Sequence, residues 1–478
     1  MESAFIGRHG LWSAGQQDAA ERIAAQVRDL ELRQVRLSWG DQHGILRGKT
    51  LEVDHFLSVL KNGKDFQTAT LIFDTTNNPV VAPFEACALG DPRMTGLPDA
   101  VLVPDPTTFK ILPWVDGTGW ILSDLYYRSG ERVPFDTRGV LQNQLERLAG
   151  EGYQYVAGIE MEFYLTRLDD PKLSFEDSGY PPTAPLVSAV SHGFQYLTEN
   201  RGDEIDAILR VLRDNVVALG LPLATVEDEW GPGQVEFTFE PMTGIEAADA
   251  AILLRTAIKQ LSRRNGHHAT FMARPALANA FSSGWHLHQS LRTTDCPNSF
   301  AGSGEDLLSD TGSHFMGGLL EHALACSVLT TPTINGYKRF RPDSFAPDRI
   351  AWAEENRGAL IRVAGARGDA STHLENRIGE PAANPYLYLA SQIASGRHGV
   401  LHETDPGPSA DEPYLAADAA LLPATLEAAL PAFEQSTMLR DEFGSPFVDY
   451  LSRIKRHEVA RFNAAVTDWE QREYFEVY

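Results

Sequence analysis

The chain has 478 residues, 43% of them hydrophobic and 22% charged, and 41 Lys and Arg face 65 Asp and Glu for a net charge of −24. That length allows two or three domains with ample core, in the composition range of ordinary soluble proteins. The negative balance argues against nucleic acid or an anionic membrane as the main partner, because phosphates would be repelled. Cys87, Cys296 and Cys326 form no CxxC pair, so no disulfide framework is expected. The first residues lack a basic region followed by an apolar one. No apolar run approaches the ~20 residues of a membrane helix. A cytoplasmic location is therefore expected.

In chain order, residues 15–30 read as a helix. "QVRLSWGDQHGILRGKTL" follows, two β-type runs around a Gly40–Gly44 hairpin signal. Residues 66–125 suggest short strands and loops, and "RSGERVPF" marks a boundary near Arg128–Phe135. Beyond it, "TRGVLQNQLERLAGEGY" is a helix and "YVAGIEMEFYL" a strand. "DEIDAILRVLRDNVVALG" is an amphipathic helix with Gly220 suited to its C-terminal cap, and "AADAAILLRTAIKQLSRR" is another. Residues 403–413 are a polar loop. Ser445 and Pro446 resemble an N-cap and first-turn proline. The helix after them carries Leu451, Ile454, Phe462, Val466 and Trp469 as a core-packing stripe.

Strand alternation isolates a recurring plan. Side chains two apart share a face. Glu160 and Glu162 therefore sit opposite Ile159, Met161 and Phe163, and Gln234 and Glu236 opposite Val235, Phe237 and Phe239. In the same way His286 and His288 sit opposite Trp285 and Leu287, and His373, Glu375 and Arg377 opposite Leu374 and Asn376. Glu229 lies just before a Gly-Pro-Gly turn. One such strand is more often a solvated edge. Four in one sheet would crowd carboxylates at about 4 kcal/mol per like-charge pair at ~4 Å, which calls for protons, arginines or divalent cations. Carboxylates with occasional histidines suit Mg²⁺ or Mn²⁺ better than Zn²⁺. Arg339, Arg341, Arg349, Arg357, Arg362 and Arg377 follow, guanidiniums suited to carboxylate and phosphate. Arg341 and Arg349 also read as surface ion-pair partners. Metals with arginines suggest phosphoryl transfer, without a P-loop.

In that order, "GIEMEF", "GPGQVEF", "ATFMARP", "GWHLHQSL", "NGYKRF", "ENRGALIRV" and "HLENRIGEPAANPYLYLASQIASGRHG" resemble the glutamine synthetase superfamily. The resemblance runs from about Leu30 to Tyr478 and points to its glutamate–amine ligase branch. It implies an α+β fold: an N-terminal helical segment (1–30), a small β-grasp domain (31–127), and a large catalytic domain (128–478) whose antiparallel strands form a funnel flanked by helices. It also implies a homo-dodecamer of two stacked hexameric rings with active sites between subunits. Carried over, Glu162, Glu229 and Glu236 resemble the ligands of one metal, and Glu160, His286 and Glu375 those of the other. His288 is similar to the histidine that contacts the ATP phosphates, and Ser290 lies near the nucleotide edge. Arg339 resembles the group that grips the α-carboxylate of L-glutamate, and Arg377 the one near its γ-carboxylate. Arg357 and Arg362 resemble the pair facing the transferred phosphoryl group. Two or more Mg²⁺ or Mn²⁺ ions per site and ATP as co-substrate follow.

Two departures bear on the second substrate. Where glutamine synthetases place a glutamate that closes the amine pocket, this chain has Phe345; where they have Asn-Gly-Ser-Gly, it has Phe281, Ser282, Ser283 and Gly284. Polar groups give way to aromatic ones, so an organic amine (alkylamine, ethanolamine or arylamine) is expected instead of ammonia. Asp74 is the nearest candidate for the interface aspartate that deprotonates the amine. Tyr414 falls where some bacterial members carry a modifiable tyrosine. An ammonia-using glutamine synthetase, a non-catalytic ring protein and a metal-dependent hydrolase are the alternatives.

Overall fold

The computed structural model describes residues 4–85, 89–194 and 196–478; Cys87 lies outside them. The first sheet is built from β1 (Gln34–Gly40), β2 (Leu46–Glu52), β3 (Lys64–Gln67), β4 (Asp99–Pro104), β5 (Lys110–Ile111) and β6 (Thr118–Tyr126). Its order is β2-β1-β6-β4-β3, with β5 also on β6; β1 and β6 run parallel and the other pairs antiparallel. The hairpin turn between β1 and β2 falls where Gly40–Gly44 predicted it. Gly44 adopts φ +71°, and a Cβ there would lie 2.7 Å from the Asn384 backbone, so the tip can seat against the rest of the chain only without a side chain. Arg255 Nη2 donates to the Gly44 carbonyl at 2.7 Å, and Asn384 Nδ2 to that of Asp41 at 3.0 Å.

The second sheet takes β7 (Gln154–Asp170), β8 (Leu186–Ala189), β9 (Leu223–Asp228), β10 (Gln234–Phe239), β11 (Met242–Thr243), β12 (His267–Thr270), β13 (Trp285–Arg292), β14 (Trp352–Glu354), β15 (Ile361–Ala364) and β16 (His373–Asn376). Its order is β14-β15-β16-β13-β7-β10-β9, with β8, β11 and β12 also pairing with the long β7. The four strands with polar faces are thus consecutive neighbours. Ile159, Met161, Phe163, Val235, Phe237, Trp285, Leu287 and Leu374 are all buried on the opposite face. Helices Thr137–Gly150 and Glu246–Arg264 pack against β7, and Pro385–His402 packs on both helices and on Asp310–Glu321. Burial of that apolar face fixes which way every polar side chain of these strands points, because a one-residue slip would invert the set.

The two sheets are keyed together at Arg138. Its buried guanidinium donates to Asp105 and Asp124, beside and within the first sheet, and to Asp249 of helix Glu246–Arg264, each at 2.8 Å. β6 ends at Tyr126 and the next helix starts at Thr137, on either side of the expected boundary.

Two local expectations are corrected. Ser445 is the first helical residue of Ser445–Asn463, and Gly444 is its N-cap with φ +87°, a conformation open to glycine. The apolar stripe is core only at Leu451 and Ile454. Phe462, in the last turn of that helix, is exposed, and so are Val466 and Trp469, which follow its end at Asn463, where its periodicity no longer holds.

Candidate active site

Register brings the site together. Glu236 pairs with Glu162 across β10 and β7, His286 with Glu160 across β13 and β7, His288 with Glu375 across β13 and β16, and Arg362 with Glu375 across β15 and β16. Cross-strand partners on one face have Cβ atoms about 5 Å apart, so alternation plus register forces these groups into one space.

Glu160 is the hub. It meets His286 Nδ1 in a very short contact and lies 3.1 Å from His288 Nε2. His286 is also 3.8 Å from Glu375 and 4.0 Å from Glu162. Donor atoms of Glu160, Glu236 and His286 lie within 4.8 Å of one another, and so do those of Glu160, His288 and Glu375. Glu229 stands outside both triads, but its charge acts on Glu162 and Glu236. Glu375, fully buried, is clamped by Arg377 and by Arg362 Nη1 at 2.9 Å. Arg362 also binds Glu355, a partner that no sequence pattern signalled.

The electrostatics separate into two halves. Burial, reinforced by Glu229, pushes Glu162 up to about 8; burial with Glu160, Glu162 and Glu229 pushes Glu236 up to about 11; burial lifts Glu229 to about 7. Burial alone would raise Glu160 and Glu375 too. His286 and His288 instead hold Glu160 well below the carboxylate range, and Arg377 with both histidines holds Glu375 at about 2. One half of the cluster is therefore held in its ionised form by histidine and arginine partners, and the other can ionise only with added positive charge. Carboxylates and imidazoles converging with unmet negative charge fit hard divalent ions of the Mg²⁺ or Mn²⁺ kind.

Gly284 borders this space: a Cβ there would come 2.8 Å from Arg339 Nη2, 2.9 Å from His286 Nε2 and 3.3 Å from Glu162 Oε1. Arg339 is wholly buried, donates from Nη1 to the carbonyls of Ile378 and Gly379 at 2.9 and 2.7 Å, and has no partner at Nε. Among the described residues nothing accepts from that Nε, so Arg339 is a guanidinium with donor capacity to spare. Arg377 Nε donates to the Arg357 carbonyl at 3.0 Å, and the Arg357 side chain lines an open cavity of about 550 Å³ with Phe345 and Tyr414. His288 and Ser290 line a second cavity of about 460 Å³ with Gly158, Phe239 and His373.

Gln234 Nε2 donates to Glu162 at 2.7 Å and its Oε1 accepts from Gly231 N at 3.0 Å, which ties the turn after Glu229 to the cluster. An aromatic ledge flanks this turn; the sequence marked two of its rings, Phe281 and Phe345, and gave no sign of Tyr196 and Trp230. Trp230 stacks on Tyr196 at 5.1 Å and 3°, and its ring lies 6.4 Å from Phe281 and 6.5 Å from Phe345; Phe194 meets Phe281 edge-on at 5.5 Å. The rings are substantially exposed, Phe345 at 61%. The adjacency of Trp230 to Glu229 was the one available signal. Asp74 is fully buried and spent on the backbone of Thr76 and Asn78 and on Arg461. Tyr414 is half-buried and donates to the Ala346 carbonyl at 3.0 Å.

The glutamine synthetase catalytic domain family matches residues 134–474. "Gamma-glutamylanilide synthase" of Acinetobacter sp is 45% identical, with 98% of each chain covered. "Gamma-glutamylethanolamide synthetase GlnA4" of Streptomyces coelicolor is 34% identical, with 95% of each covered. A solved structure titled "GmaS/ADP complex-Conformation 1" superposes with a TM-score of 0.80 at 26% identity, over 95% of this chain and 99% of that one. With the domain match spanning well over half of its residues and a 45% identical relative aligned over nearly its whole length, the chain belongs to the glutamine synthetase family of ligases.

Proposed function

We propose that this enzyme condenses L-glutamate with an organic amine, and an arylamine in preference to ammonia, into a γ-glutamyl amide at the expense of ATP. The observation that carries the choice of amine is the exposed aromatic ledge of Tyr196, Trp230, Phe281 and Phe345 beside Glu229. The names of the anilide- and ethanolamide-forming relatives point the same way. An arylamine is uncharged at neutral pH and needs no carboxylate to strip it of a proton before attack, which suits a pocket with Phe345 in place of glutamate.

Glu162, Glu229 and Glu236 would hold one divalent ion, and Glu160, His286 and Glu375 a second. Bound there, Mg²⁺ or Mn²⁺ would offset phosphate charge. His288 and Ser290 in the 460 Å³ cavity are assigned to the nucleotide. Arg339, with its unpartnered Nε, takes the α-carboxylate of glutamate. Arg377 orients the γ-carboxylate, whose oxygen attacks the terminal phosphorus as the bond to ADP breaks. Arg357 and Arg362 face the transferred group, each guanidinium having five donors. The amine nitrogen then attacks the acyl phosphate carbon, phosphate departs, and the nitrogen's surplus proton passes to Glu229. The ledge and a closed site keep water from the activated acyl group. A cytoplasmic ring of two stacked hexamers rests on resemblance alone; the mass of the particle in solution tests it.

The deciding experiment is phosphate release from ATP with glutamate, Mg²⁺ and a panel of ammonia, methylamine, ethanolamine, putrescine and aniline. Aniline is expected to show the highest kcat/KM. Ammonia outperforming every organic amine would make the chain an ordinary glutamine synthetase.

A further inference from the structure

A second group of metal-type side chains lies apart from the carboxylate cluster, where helix Asp310–Glu321 ends beside the end of helix Pro385–His402. The latter begins at Asn384, close to the active-site strands, and its 18 residues rise about 27 Å. At the far end His322 Nε2 and His398 Nδ1 approach to 3.0 Å with ring planes at 85°. Glu321 Oε2 lies 3.8 Å from the same His398 nitrogen and 4.0 Å from the same His322 nitrogen.

These separations of 3.0, 3.8 and 4.0 Å form a triangle whose circumscribed circle has a radius of about 2.1 Å, the distance at which Zn²⁺ binds imidazole nitrogen and carboxylate oxygen. One more turn along, His402 stacks on His398 at 4.0 Å, with Nδ1 on the His398 carbonyl at 2.8 Å, and walls the cluster on that side. His398 and His402 stand four residues apart on one helix, so they share a face.

We propose that Glu321, His322 and His398 form a transition-metal site of the Zn²⁺ class. Two imidazoles and one carboxylate select a borderline ion such as Zn²⁺ over Mg²⁺. The cation replaces the single proton that the two facing nitrogens share. The two rings are mostly covered, and the site opens to solvent, from which it can load, at Glu321.

Its place in the chain gives it a task. Directly after His402, segment 403–415 crosses to the active-site loops: Trp352 Nε1 donates to the Gly407 carbonyl at 2.9 Å, Asn356 Nδ2 to that of Asp411 at 3.0 Å, and Tyr414 to that of Ala346, next to Phe345. A cation here pins the root of that strap. The site stands independently of the reaction proposed above.

The test uses full-length, metal-stripped protein in saturating Mg²⁺, titrated with Co²⁺ and followed by its visible tetrahedral bands, then with Zn²⁺ against a chromophoric chelator. Wild type should bind one equivalent per chain that Mg²⁺ does not displace. His398→Asn and His322→Gln should bind it at least about tenfold more weakly, and Glu375→Gln in the carboxylate cluster should retain it. Equal binding by wild type and the histidine variants, or loss of the equivalent in Glu375→Gln, overturns the proposal. Should the histidine variants fail to fold, Glu321→Gln at the exposed corner gives the same discrimination. Thermal unfolding supplies an independent readout: Zn²⁺ should raise the Tm of wild type and leave His398→Asn unmoved.

Discussion

Replacing Trp230 with alanine isolates what the aromatic ledge does. The indole is 42% exposed and sits at the middle of the ledge, with Tyr196, Phe281 and Phe345 around it at 5.1, 6.4 and 6.5 Å. A substrate ring lying over it gains one or two aromatic contacts of about 0.5–1.5 kcal/mol each. Their loss should cost about 0.5–3 kcal/mol, or roughly 2- to 160-fold in kcat/KM for aniline. Ammonia has no ring to lose and should change by less than about twofold on the same reasoning. The backbone N–H of residue 230, which donates to Glu229 at 3.2 Å, survives the substitution, so the carboxylate keeps that anchor. Steady-state rates for both amines, with glutamate and ATP saturating, give the ratio. Equal falls for aniline and ammonia would mean that Trp230 only shapes the loop, and an unchanged aniline rate would remove the ledge from amine recognition.

Phe345→Glu should reverse the preference, raising the ammonia-to-aniline ratio of kcat/KM by about tenfold or more, since a carboxylate attracts ammonium and repels a ring; a ratio that stays put refutes this. Gly284→Ala places a methyl 2.8 Å from Arg339 and 2.9 Å from His286. Turnover should drop by more than about a hundredfold while stability falls only about 1–3 kcal/mol, which chemical denaturation beside the rate assay would check. Glu162 titrates near 4.5 when unfolded and at about 8 when folded, so its contribution favours the fold at low pH and fades as pH climbs through the folded value. Metal-free wild type should thus lose about 2 kcal/mol more than Glu162→Gln between about pH 6.5 and 8, at 1.36 per unit, and Mg²⁺ should restore most of that difference. A wild-type stability curve that rises relative to Glu162→Gln contradicts the assignment.

What was legible in the sequence was local and periodic. Alternation assigned faces to Glu160, Glu162, Glu236, His286, His288 and Glu375, and the structure sets those faces side by side in one sheet. Trp285, read as pointing away, is buried against Tyr388. Phe281 and Phe345 were legible as aromatic departures, but Tyr196 and Trp230 join them from separate segments with no shared period, so the ledge as a whole was not. The pairing of Arg362 with Glu355 depends on β14 running parallel to β15, a topological fact. The His322 and His398 contact joins helix ends 76 positions apart. Where Val466 and Trp469 continue a helical stripe past Asn463, periodicity outran the helix itself.

Arg138 has a consequence for how this chain is inherited and handled. One guanidinium serves three carboxylates contributed from both sides of the seam, and cutting the polypeptide between Arg128 and Phe135 would strand Asp105 and Asp124 in one fragment without their counterion. Neither piece is then a self-sufficient module. A graft that swaps the amine pocket into a relative has to carry the quartet intact, or restore it.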